Sequence, residues 1–221
     1  MVRTPSETLD LACAAGQSKA ALGGSRRFCR LAVGSMLAGA YIALGGALSI
    51  MIGFGFPEIS ASNPGLQKLL SGLVFPIGLM LVVILGADLF TGNNALLMPP
   101  LIRKNITPGR VIANWSIVWI GNFIGALALS YFLIYLPGVL AAEPYSSAVA
   151  GIAQTKTSLG FWTVFLKGIG ANWCVCLAVW LALSGKRLGE KLLACEIPVM
   201  AFVALGFEHC IANMFFIPLA M

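Results

Sequence analysis

Uncharged runs dominate this chain. No Asp, Glu, Lys, Arg or His interrupts Leu31 to Phe56, Leu69 to Ala87, Val111 to Ala142 or Gly168 to Gly185. A fifth run, Ile197 to Met221, is broken only by Glu208 and His209. Crossing a bilayer takes about 20 apolar residues. Charged residues are 10% of the whole and hydrophobic residues 59%, against about 25% charged in a soluble domain. The pattern predicts an all-α membrane protein of several spans. A soluble protein with an unusually oily core is the bland alternative, and the number of such runs argues against it.

The expected boundaries are a cytoplasmic N-terminal arm over 1–27 and a transmembrane domain over 28–221. Its spans are placed at 28–54, 67–100, 110–137, 159–184 and 192–221, the second and fifth broken. The first run is too long for the apolar region of a signal peptide and is read as a retained span. The net charge of +6 does not imply nucleic acid. All but Lys68, Lys156 and Lys167 of the 14 Lys and Arg fall on one side of the spans. By the positive-inside rule that side, with the N-terminus, is cytoplasmic. The six cysteines form no CxxC pair, so neither a metal site nor a disulfide framework is expected.

Two stretches break the oily pattern. Gly86-Ala87-Asp88-Leu89-Phe90-Thr91-Gly92-Asn93 and Gly206-Phe207-Glu208-His209-Cys210-Ile211-Ala212-Asn213 share glycine, an acid two residues later and asparagine five after that. Both fall mid-span, where irregular backbone is tolerated only if protein buries it or it lines a water-filled cavity. Pro99 and Pro100 are expected to end the segment after the first break. As second elements of two three-span units, the breaks would run in opposite senses, the inverted-repeat layout of many transporters. The second unit then lacks its third span. The expectation is that the chain is a fragment, its sixth span missing.

Ionisable groups inside a membrane mark pathways by default. His209 is the only histidine and is read as functional, because a neutral imidazole is cheaper to bury than an ion and titrates near physiological pH. Thr91 is its natural partner from the opposite unit. Glu208, like Asp88, suits a brace better than an anion path, since a carboxylate would repel the cargo. Helix N-termini at the two breaks would add partial positive charge. Such a site fits a small monovalent anion. Phe75, Leu79, Leu89, Phe90 and Phe202 flank the breaks and read as apolar gates, although each taken singly reads as packing.

With "GADLFTGN", "NWCVCLAVWLALSGK" after "GIGA", and "FEHCIANMFFIP", the chain from about Arg27 to Met221 resembles the formate/nitrite transporter family, most of all its formate channels. The resemblance implies an aquaporin-like fold, a homopentamer with one pore per protomer, and passage of formate and similar small anions across a bacterial-type inner membrane. It implies that His209 is the central pore histidine and Thr91 its hydroxyl partner. Asn172, Glu208 and Asn213 would surround them. Leu79, Leu89 and Phe90 would form the cytoplasmic constriction, Phe75 and Phe202 the outer one, and Lys156 would stand at the outer funnel. Cys210 departs from the serine common in formate channels. No cofactor is implied. A nitrite or hydrosulfide pore of the same fold remains open. A neutral-solute pore leaves the lone histidine unexplained. An enzyme would need a nucleophile with a base in reach, which the sequence does not offer.

Overall fold

A computed structural model describes residues 2–221, which are helical almost throughout. Helix α1 (Pro5–Ala20) opens on a capping box in which Thr4 and Glu7 exchange side-chain-to-backbone bonds. Helix α2 (Ser25–Phe54) follows, and after it two short helices, α3 (Pro57–Ser62) and α4 (Pro64–Val74). A turn at Phe75 and Pro76 leads into α5 (Ile77–Leu85). The backbone is then extended to α6 (Phe90–Ile102). Helix α7 (Pro108–Leu129) runs on as a π-helical stretch, Ser130–Tyr135. Helix α8 (Tyr145–Thr157) lies in the connection to α9 (Phe161–Ser184). Helix α10 (Leu188–Ala204) is separated from α11 (Cys210–Phe216) by a second non-helical stretch.

Among the described residues, four helical stretches are long and apolar enough to cross a membrane: Ser25–Phe54, Pro64–Leu85, Pro108–Tyr135 and Phe161–Ser184. The long helix α2 is central and packs on α7, α4, α5 and α11. In lipid there is little hydrophobic drive between helices, so close backbone contact through small residues carries the packing. Gly39 of α2 lies against the backbone of Asn122, and Gly125 of α7 against that of Met36. Gly46 takes the ring of Phe215 from α11.

Three sequence expectations need correcting or extending. Pro99 and Pro100 lie inside α6, which continues to Ile102; each lacks only its own N–H, and their carbonyls still accept from Arg103 N–H at 3.0 Å and Asn105 N–H at 2.8 Å. The N-terminal arm carries a packed helix. Helix α1 packs on α6 and α9, with Thr8, Ala12, Cys13, Gly16 and Ala20 buried, and Gly16 meets the Leu96 backbone and Pro100. Helices α3 and α8 lie in connections that fall outside the expected spans.

The α2–α7 contact makes a direct prediction. Gly39→Val or Gly125→Val forces a side chain into backbone that cannot rotate away. Overpacking of this kind costs about 1–3 kcal/mol. A methyl group placed on Gly109 would meet nothing within 4 Å, so Gly109→Ala should stay within about 0.5 kcal/mol of the parent. Thermal unfolding in detergent, with all three variants side by side, checks the contrast.

Candidate functional site: two helix breaks that meet

Both breaks are built the same way. Helix α5 ends at Gly86, with φ +72°, and Gly206 follows α10 with φ +68°. Those left-handed values suit glycine, which has no Cβ to clash. The next amide turns back in each case: Ala87 N–H donates to Val82 O and Phe207 N–H to Phe202 O, both at 3.0 Å. This is the six-to-one bond of a Schellman ending. The acidic residue comes next in extended backbone. Asp88 N–H donates to Gly34 O of α2 at 3.1 Å, and Glu208 N–H to Lys167 O of α9 at 3.3 Å.

The acids are braces at both breaks. Glu208 Oε2 accepts from Lys156 Nζ at 2.7 Å and from Asn213 Nδ2 at 2.8 Å. Asp88 Oδ1 pairs with Lys19 and, at 3.5 Å, accepts from Asn93 Nδ2. Asn93 also donates to Asn114 Oδ1, and Asn114 donates to Lys19 O, each at 2.9 Å. Thus the asparagine five residues after each acid reaches back to it. Lys156 also lies over the Phe216 ring, 5.3 Å from its centroid.

Leu89 and His209 occupy equivalent places, as the N-caps of α6 and α11. The imidazole caps its own helix: Ala212 N–H donates to His209 Nδ1 at 3.1 Å. With Nδ1 occupied as acceptor, a neutral ring carries its proton on Nε2. Nε2 lies 3.2 Å from Thr91 Oγ1. The ring therefore donates to the threonine, and the threonine hydroxyl keeps its own proton to give. Thr91 is fully buried and His209 nearly so. The opening amide of α6 is also taken, by Asn122 Oδ1 at 2.9 Å. Of the N–H groups expected to add partial positive charge at the two helix starts, Phe90 N–H and Ala212 N–H are bonded by side chains, where the membrane interior offers no water to do so.

Two cavities approach the pair from opposite ends. A vestibule of about 590 Å³ is lined by Phe75, Lys156, Phe202, Glu208, His209 and Asn213, with others. A smaller one of about 170 Å³ is lined by Lys19, Leu89, Gly92, Asn93 and Lys191, with others. Thr91 lines neither. Phe75 and Phe202 meet edge-on at 5.8 Å, and Phe202 stacks on His209 at 5.6 Å. Leu79 is buried and also lines neither cavity, while Phe90 turns its ring toward Trp115 at 6.2 Å. Asn172 touches Cys210 rather than the imidazole: its Oδ1 accepts from the thiol at 3.1 Å. Lys156 reaches the vestibule, but its charge is matched by Glu208. Sequence reasoning missed Asn114 and Asn122. Their only signal was two amides inside an apolar span.

The profile of a family described as Formate/nitrite transporter matches residues 6–221. The chain is 41% identical over 219 residues to the uncharacterized transporter YrhG of Bacillus subtilis (strain 168), covering 99% of this chain and 80% of that one. It is 41% identical over 202 residues to a probable formate transporter of Methanothermobacter thermautotrophicus, covering 85% and 73%. The solved structure of a pentameric formate channel with formate bound is similar with a TM-score of 0.78 at 30% identity, covering 89% and 76%.

The brace is testable by unpairing it. The Lys156 and Glu208 side chains are 15% and 8% exposed, and removing one partner of such a pair costs about 3–5 kcal/mol. Lys156→Met should lower thermal stability in detergent by that order, and Lys156→Met with Glu208→Gln should recover most of it. A single variant as stable as the parent would show that the pair braces nothing.

Proposed function

The chain belongs to the formate/nitrite transporter family, and from that premise we propose that it passes formate and similar small monovalent anions through a pore in each protomer. The family's proteins are transporters and channels, and this chain is a multi-pass membrane protein rather than an enzyme. The observation that carries the reading is the 3.2 Å contact between Thr91 and His209, with one vestibule reaching the imidazole and another reaching Leu89 and Gly92 on either side of the threonine.

An anion from the larger vestibule meets Phe75 and Phe202 first. An apolar slit hinders hydrated ions by dewetting, so the cargo must shed water there. The loss is offset where donors wait. His209 Nε2–H can turn from Thr91 to the anion, and the Thr91 hydroxyl supplies a second donor. Both are neutral groups, so they can release the anion as well as hold it. Leu79, Leu89 and Phe90 are assigned the second constriction. Asn172 steadies Cys210 beside the imidazole, and Glu208, Asn213 and Lys156 hold the break in shape.

The matching braces at Asp88 and Glu208 support an inverted repeat of aquaporin-like form. A homopentamer is the proposed assembly, since the solved formate channel to which the chain is similar is pentameric. The distribution of Lys and Arg supports a cytoplasmic N-terminus in a bacterial-type inner membrane. Nitrite or hydrosulfide is the alternative cargo, and the family description names nitrite.

Proteoliposomes loaded with labelled formate test the reading. His209→Phe should abolish formate flux. Thr91→Val should reduce it about ten- to hundredfold, the size of one hydrogen bond to a charged group. Wild-type flux in the His209→Phe protein would overturn the assignment. Competition by nitrite and by bisulfide in the same vesicles ranks the alternative cargoes.

A further inference from the structure

The Asn122 side chain ties the first break to α2 and α7. It lies on α7, fully buried. Its Oδ1 accepts from Phe90 N–H at 2.9 Å. Its Nδ2 donates to Asp88 O at 2.9 Å and to Ser35 O of α2 at 2.7 Å. The Asp88 carbonyl belongs to the peptide before Leu89, and the Phe90 amide to the peptide after it. One amide therefore grips both peptides that flank Leu89, much as a neighbouring strand would, and anchors them to α2. Only this orientation of the amide works, because two of its partners accept and one donates.

Leu89 lines the smaller vestibule, and Thr91 is two residues further on. We propose that Asn122 is a positioning residue that fixes Leu89 and Thr91 and thereby sets the size limit of the pore. It touches no cargo. Without it, the extended segment keeps its Schellman bond and the Asp88–Gly34 bond, but Leu89 loses the restraint on both sides. The bottleneck would widen and fluctuate, and larger anions would gain more than small ones.

The inference rests on the transport reading above. It is tested by the ratio of formate to acetate permeability in proteoliposomes, acetate being larger by one methyl group. A simple loss of folded protein lowers both fluxes together and leaves the ratio alone. Asn122→Leu, similar in volume but without bonds, and Asn122→Asp, which loses both donors, should each lower the ratio at least threefold. Ser130→Ala, which removes a bond made only to its own helix at Ala126 O, should leave it unchanged. A folded Asn122 variant with the parent ratio overturns the proposal. Hydrogen exchange on the parent protein decides independently of any variant. The Phe90 amide, otherwise an orphan at a helix start, should exchange as slowly as interior amides of α6, and fast exchange overturns the proposal. Should the parent carry neither anion, the transport reading itself falls; a selective parent with equally selective variants sinks only the role of Asn122.

Discussion

A peptide group in hydrocarbon must be bonded, and the whole site follows from that constraint. Each unsatisfied amide or carbonyl costs several kcal/mol where no water can reach. Yet two segments of this chain leave the helix among buried helices. They persist because protein supplies what helix geometry gave up. Backbone carbonyls of α2 and α9 take the amides of Asp88 and Glu208. Asn122 takes the first amide of α6, and His209 takes an amide of α11. The imidazole thus makes contacts at both nitrogens: one holds the break, and the other faces Thr91.

The same constraint explains the charges. Asp88 and Glu208 look out of place in a path for anions. Each is matched by a lysine and an asparagine; Lys156, Glu208 and Asn213 line the larger vestibule, and Lys19 and Asn93 the smaller one. Paired charges cancel at a distance. What remains between the cavities is neutral: a ring, a hydroxyl and apolar side chains. A neutral donor pair can favour a small anion over water without trapping it as a fixed cation would, consistent with the need of any conduit to bind weakly enough to release.

Much of this was legible in the residues. Uncharged runs placed the membrane helices, because charge is what a bilayer excludes. Gly86 and Gly206 stood out as mid-span glycines followed by polar residues, and both hold the positive φ that stops a helix. Thr91 and His209, read as partners from opposite units, lie in contact. The illegible parts depend on tertiary partners. Nothing near Asn122 in sequence says that it faces Phe90, thirty-two residues away. Lys156 was placed at the funnel, but its pairing with Glu208 arises from how α8 packs and cannot be read from either segment alone. That the Phe90 ring meets Trp115 edge-on likewise depends on packing with α7.

The central claim is that one imidazole closes the two interrupted helices onto each other, accepting at Nδ1 and donating from Nε2. Because His209 is the sole histidine, nitrogen-15 spectra of the protein, labelled at histidine and carrying no histidine tag, report this ring alone. At neutral pH in lipid, the account predicts an unprotonated Nδ1 and a protonated Nε2, with Thr91→Val moving the Nε2 resonance more than that of Nδ1. A ring protonated on Nδ1 could not accept from Ala212, and that spectrum would contradict it.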